Sequence, residues 1–217
     1  MEIIWHGQSC FTIKNNDITI VTDPYSGIGL KLPKLAADVI TVSHQHQDHS
    51  FVEGVEGNPK VLDWAGEYEI KGVPFIAIDS FHYAKSEGPE AEKRGGNLIM
   101  VFEIDGVKMC HLGDLGHTLT NEMNEAIGDV DVLMVPVGGV YTIDHHKAHE
   151  VIEQIDPRLV IPMHYKVPGL TVELGEIEPF LKEIGQVNIE PINKLKLKKV
   201  DLPEDKTNFV VMTPITG

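Results

Sequence analysis

Three histidines and an aspartate stand within six residues of one another in the run Thr41-Val42-Ser43-His44-Gln45-His46-Gln47-Asp48-His49. The run leaves an apolar, strand-like stretch. Side chains two apart on extended backbone face the same way, so His44 and His46 can clasp one ion. A turn after them lets Asp48 and His49 swing toward a second. Neutral imidazoles suit zinc and other borderline metals, and carboxylates balance the charge. Nothing structural requires four such side chains together, so a solvated loop is the weaker reading.

This H-x-H-x-D-H segment resembles the signature of the metallo-β-lactamase superfamily. Further landmarks fit in chain order. His82 follows a strand in Ile78-Asp79-Ser80-Phe81-His82-Tyr83, and Asp114 sits at a strand end in Cys110-His111-Leu112-Gly113-Asp114. His164 follows a late strand in Val160-Ile161-Pro162-Met163-His164-Tyr165. The opening Gly7-Gln8-Ser9-Cys10-Phe11 and the turn Thr22-Asp23-Pro24 also resemble the superfamily. They point to its branch of small, lactonase-like metal-dependent hydrolases related to ascorbate-6-phosphate lactonase. The resemblance runs from Gly7 to about Tyr165. It implies an α/β fold, a four-layer αββα sandwich with the site at one edge. It also implies that His44, His46 and His82 hold one metal, that Asp48, His49 and His164 hold another, and that Asp114 bridges them.

Two ions roughly 3.5–4 Å apart would share a water that ionises near neutral pH, and would polarise a scissile carbonyl or phosphoryl oxygen. Asp48 and Asp114 are then catalytic as well as ligating, because they can orient the attacking water. An imidazole-and-carboxylate shell accepts zinc, manganese or iron, so the expected cofactor is two divalent ions of this kind.

Other polar residues compete for roles. In Asp144-His145-His146-Lys147-Ala148-His149, His145 and His149 lie four apart and share a helical face, a spacing used by helical zinc sites. The H-E-x-x-H order is missing. Three readings stay open: a separate metal site, a solvated helix start, or a wall of the substrate pocket. The preceding Gly138-Gly139-Val140-Tyr141-Thr142 loop favours the last for Tyr141, Asp144 and His145, as substrate contacts or proton donors. His111 reads as a core histidine or as a donor to a ligand carboxylate. His117 decorates a loop, His6 is structural, and Asp23 can hydrogen-bond a metal-bound histidine. No strained G-x-S-x-G elbow with a Ser-His-Asp set is present.

The elements that must carry these residues are mostly short strands. Strand-like runs cover Glu2–Trp5, Cys10–Lys14, Ile18–Thr22, Val39–Val42, Lys60–Leu62, Glu67–Ile70, Pro74–Ser80, Asn97–Ile104 and Val107–Leu112. Asp105-Gly106 is a strong hairpin signal. The second half alternates helices, expected at Thr120–Ile127, Lys147–Ile155 and Val172–Ile184, with strands at Val132–Val135, Leu159–Ile161 and Val187–Ile189. Strands at Lys194–Val200 and Phe209–Met212 close the chain. Thr142 or Asp144 can cap the helix at 147. Mixed sheets covered by helices follow from this order. No linker interrupts the 217 residues, which read as one domain. The polar stretch 85–94 reads as a flexible neighbour of His82.

Composition narrows the function classes. The formal net charge of −15 and the absence of a dense basic patch argue against a nucleic-acid partner. An anionic small-molecule substrate remains compatible, because bound ions would dominate the local field. No apolar run reaches the roughly 20 residues of a membrane span. The two cysteines, Cys10 and Cys110, lie in apolar strands without C-x-x-C spacing and read as reduced thiols of a cytoplasmic protein. The leading expectation is a dinuclear hydrolase of a small ester, lactone or phosphorylated metabolite. A phosphodiesterase or nuclease acting on nucleotides or RNA is the alternative enzyme, and a non-catalytic metal-binding protein the alternative class. The related lactonases suggest a homo-oligomer.

Overall fold

Alternation of apolar and polar residues builds the first sheet. Strands β1 (Glu2–Trp5), β2 (Phe11–Lys14) and β3 (Thr19–Thr22) form an antiparallel meander, with Ile3, Trp5, Phe11, Ile13 and Ile20 fully buried. After a short β4 (Leu35–Ala36), strand β5 (Val39–Thr41) adds parallel to β3. Strand β6 (Val55–Glu56) pairs with β4, and β7 (Lys60–Leu62) adds parallel to β5. The structure, a computed structural model, describes residues 1–83 and 94–217. Apart from Arg94, the stretch 85–94 that reads as flexible lies outside these residues.

The second sheet begins as a meander too: β8 (Gly66–Ile70), β9 (Val73–Phe81), β10 (Gly96–Ile104) and β11 (Val107–His111), all antiparallel. Asp105 at φ 54° and Gly106 at φ 72° make the tight turn between β10 and β11 that Asp-Gly predicts. Helix α1 (Asn121–Ile127) follows, capped by the Thr120 hydroxyl, which accepts from Met123 N at 3.2 Å. Strands β12 (Val132–Pro136) and β13 (Leu159–Met163) then extend the sheet in parallel, every residue buried. Such continuous apolar runs need cover on both faces. Between them helix α2 (His145–Ile155) lays Ala148, Val151, Ile152 and Ile155 inward against β12. Each large side chain buried this way contributes roughly 1.5–3 kcal/mol. Helix α3 (Glu178–Glu183) packs on α2. Strand β14 (Leu195–Lys196) closes on the outer side of β1, and β15 (Asn208–Phe209) adds beside β13.

The two sheets face each other across one apolar core. Phe11 of the first meets His111 of the second edge-on with centroids 6.1 Å apart, and Trp5 packs on Tyr165 at 5.0 Å. On the outer face of the first sheet, Val21, Ile40 and Val42 lie under Tyr25 and Ile28. Irregular chain and the 3-10 turn Val52–Gly54 complete that cover, so this outer layer owes little to regular helix among the described residues. No described helix is long and apolar enough to cross a membrane.

Several expected elements are shorter or missing. Helix Val172–Ile184 is reduced to α3, because residues 171–175 spend their backbone groups elsewhere. Thr171 N donates to Ile28 O at 2.8 Å, and Gly175 N to Gly138 O at 2.8 Å. The expected strand Val187–Ile189 does not form, since β15 occupies the place beside β13. Lys194–Val200 shrinks to β14, because Lys198 N turns back onto Asp201 Oδ2 at 2.9 Å and starts a 3-10 turn. Helix α2 begins at His145, two residues early, with Asp144 as its cap.

Candidate metal centre

Parallel strands deliver their functional residues at one end of the sandwich, the carboxyl ends, where loops hang from a rigid frame. Asp23 follows β3 and His44 follows β5. His82 follows β9, Asp114 follows β11 and His164 follows β13. The seven ligands suggested by the resemblance converge here. One ligand atom from each of His44, His46 and His82 lies within 4.8 Å of the others, and the same holds for Asp48, His49 and His164. Asp114 stands between the two groups. Its Oδ2 is 3.0 Å from His82 Nε2, 3.1 Å from His164 Nε2, 3.2 Å from His49 Nε2 and 4.0 Å from His44 Nε2.

The other ring nitrogens explain why those atoms point inward. His49 Nδ1 donates to Asp23 Oδ2 at 3.0 Å. Ser43 Oγ donates to the same oxygen at 2.6 Å and pairs with His44 Nδ1 at 3.0 Å. His82 Nδ1 donates to the Tyr141 carbonyl at 2.9 Å. With Nδ1 carrying the proton, each Nε2 presents a lone pair, the form in which imidazole ligates. Lone pairs about 3 Å from a carboxylate oxygen repel unless a proton or a cation lies between them. His44 Nε2 and His49 Nε2 are buried without a hydrogen-bond partner among the described residues. Orphaned atoms of this kind cost roughly 1–3 kcal/mol each. The donor set therefore fits divalent cations.

Electrostatics agrees. Burial, followed by the charge of His49, pushes the His44 ring down to about 2, so it is neutral at physiological pH. Burial opposes the charge on Asp114, but His164 and His49 outweigh it and hold the carboxyl well below its usual range. Burial likewise opposes a proton on His49, and Asp114 outweighs it and raises that ring well above the ordinary value. Cations would replace protons held in this way.

Backbone strain concentrates at the same place. Gln8 (φ 50°), Asp23 (φ 38°) and His164 (φ 53°) all adopt the left-handed region that non-glycine residues avoid. Two glycines are sterically required. A Cβ on Gly113, itself at φ 56°, would fall 2.3 Å from Asn97 Oδ1, and one on Gly138 would fall 2.2 Å from the His164 carbonyl.

A cleft of about 510 Å³ opens over His46, Asp48, His82, Asp114 and His164. Tyr141 forms part of its wall. Asp144 and His145 do not line it. Asp144 is spent capping α2, accepting from Lys147 N at 2.9 Å, and the His145 ring lies against His146 with centroids 4.2 Å apart. His111 does not reach a ligand carboxylate either. It pairs with the Ser9 carbonyl at 2.9 Å and accepts from Gly113 N at 3.2 Å, so it shapes the loop that carries Asp114. His6 is structural, held between Ile215 O and Thr12 Oγ1.

Sequence reasoning left Gln8 without a role and missed Asn97 and Val172. Gln8 is buried, and its Nε2 donates to Asp48 Oδ2 at 2.8 Å and to His164 Nε2 at 2.9 Å. Asn97 Oδ1 accepts from the Asp114 amide at 2.8 Å, fixing the backbone of the central carboxylate. Val172 lines the cleft. Neutral amides and a valine carry no spacing signal. Gln8 was marked only by its place in the Gly7–Phe11 resemblance.

Comparison with known proteins fits this geometry. A family model described as a beta-lactamase superfamily domain matches residues 2–164. The chain belongs to that superfamily. Several of its relatives there are named metal-dependent hydrolases. It is 31% identical over 192 residues to a UPF0173 metal-dependent hydrolase of Thermoplasma acidophilum, covering 76% of this chain and 83% of that one. A UPF0173 protein of Pyrococcus abyssi is 28% identical over 206 residues, covering 85% of this chain and 90% of its own. The crystal structure of a Thermotoga maritima protein, described as a candidate Zn-dependent hydrolase of the metallo-beta-lactamase superfamily, superposes with a TM-score of 0.79. The two chains are 40% identical, with 97% of each covered.

Proposed function

We propose that the protein hydrolyses a small ester, lactone or phosphorylated metabolite using two divalent ions. His44, His46 and His82 hold one ion, Asp48, His49 and His164 the other, and Asp114 binds both. The observation that carries this reading is Asp114 Oδ2 lying 3.0–3.2 Å from three imidazole nitrogens of the two ligand groups. A single carboxylate shared in this way suits a pair of ions better than one. Bound ions of this type supply a water acidic enough to ionise near neutral pH and an electrophile for the scissile oxygen. Zinc is the favoured metal, given the name of the Thermotoga relative; manganese or iron would fit the same donors.

The chain's own residues do the rest. Asp48 and Asp114 accept hydrogen bonds from the attacking water and aim it. Gln8 holds Asp48 and His164 in register through its side-chain amide, which contacts Asp48 Oδ2 and the cleft-facing His164 Nε2. Tyr141, on the cleft wall, is the candidate proton donor to the leaving group. The cleft volume suits a metabolite rather than a polymer, and the −15 charge disfavours RNA. The branch resembling ascorbate-6-phosphate lactonase makes sugar lactones and their phosphates the first substrates to try.

The test is metal content by plasma emission on protein purified without added metal, beside turnover of lactones, phosphodiesters and phosphomonoesters. Two metals per chain, with turnover lost on chelation and restored by zinc, is the expected result. A protein that stays inactive on every substrate class after reloading would instead support a non-catalytic metal-binding role.

A further inference from the structure

A second group of histidines stands away from the cleft. Helix α2 opens with His145 and His146 and places His149 one turn later, and Glu183 arrives from the last residue of α3. Glu183 Oε2 lies 3.1 Å from His146 Nδ1, and Oε1 lies 3.7 Å from His149 Nδ1. One ligand atom from each of His145, His146 and Glu183 lies within 4.8 Å of the others. None of these four residues lines the cleft.

We propose that His145, His146, His149 and Glu183 form a surface site for one divalent transition-metal ion, separate from the catalytic centre. Imidazoles with a single carboxylate are borderline donors, suited to nickel, copper or zinc rather than to magnesium or calcium. The side chains are partly exposed, with His146 at 64% and His149 at 37%, so small rotamer changes bring them to bonding distance. The amino end of α2 repels a cation through its dipole, and the Glu183 and Asp144 carboxylates offset this. The site is open to water, which makes the ion exchangeable and the affinity modest. Its ligands come from two helices, so the ion ties the start of α2 to the end of α3 and binds only the folded form. The proposal is independent of the chemistry assigned to the cleft.

The probe is Ni²⁺ added to the metal-loaded protein, with bound nickel and the resident metals counted together after equilibrium dialysis. Wild type is expected to take up one more equivalent at micromolar nickel than the double variant His146→Ala/Glu183→Gln, and to gain thermal stability that the variant does not. Resident metals and turnover should be the same in both proteins. His149→Ala should weaken nickel uptake without abolishing it. Equal nickel uptake by wild type and the double variant, both with unchanged circular dichroism, would overturn the proposal.

Discussion

The cleft and the start of α2 are built from the same side chains, histidines with a carboxylate among them, but their surroundings are opposite. In the cleft, His49, His164 and Asp114 are at most 2% exposed, and the Nδ1 of His44, His49 and His82 is committed to a neighbour. At the helix start, His146 and His149 turn Nδ1 toward Glu183 itself, and among the described residues no hydrogen bond to the other ring nitrogen fixes them. A ring held through one nitrogen presents the other in a set direction, at the cost of burial and of strained backbone at Asp23 and His164. An unsupported ring can ligate, but it cannot position a reacting water. The difference teaches that residue composition marks candidate metal ligands, whereas the supporting contacts mark a candidate catalytic centre.

That contrast can be broken or sharpened by substitution. The largest effect is expected for Asp114→Ala or His46→Ala, which should abolish hydrolysis and lower the metal content while leaving the circular dichroism of the fold largely intact. Full activity in either variant would remove the cleft from its assigned role. Asp23→Asn touches no ion in the proposed scheme, yet it weakens the acceptor for His49 and Ser43. Metal affinity, measured by competition with a chelator, should fall by roughly 10–100-fold; an unchanged affinity would mean that the supporting shell is dispensable. Gly138→Ala pushes a Cβ against the His164 carbonyl and should destabilise the protein by roughly 1–3 kcal/mol in denaturant titration, with turnover reduced through His164. Glu183→Gln, on the surface, should change stability by no more than about 0.5 kcal/mol and leave turnover alone while diminishing nickel uptake.

Much of the fold was legible in advance, and the reasons are local. Asp105-Gly106 announces its hairpin because few other residue pairs accept two positive φ angles. Asp144 marks the start of α2 because a carboxylate there satisfies an otherwise orphaned amide. The segment 172–175 reads as helix in the sequence because its pattern permits one, but the backbone of Thr171 and Gly175 is bonded elsewhere. Its backbone partners, Ile28 and Gly138, lie far away in the chain, and no local pattern encodes them. Asp144 and His145 drew attention for a similar reason. The glycine-rich loop before them does lead toward the cleft, but it delivers only Tyr141 there.

The chain on its own determined which residue types would gather at the candidate metal centre. His44, His46, Asp48 and His49 lie within six positions, so strand alternation and a single turn bring them to one place. It also determined the run of short strands followed by alternating helices, because hydrophobic periodicity acts over a few residues at a time. Tertiary structure decided what sits between and behind those ligands. Asp114 reaches 3.0 Å from His82 and 3.1 Å from His164 only because β9, β11 and β13 end on the same side of one sheet. Asp23 and Ser43 orient His49 and His44 within the first sheet, and Gln8 reaches His164 from it across to the second. Hydrogen bonds and ion contacts act over about 3 Å, and such proximity between distant residues is created by strand order and sheet packing.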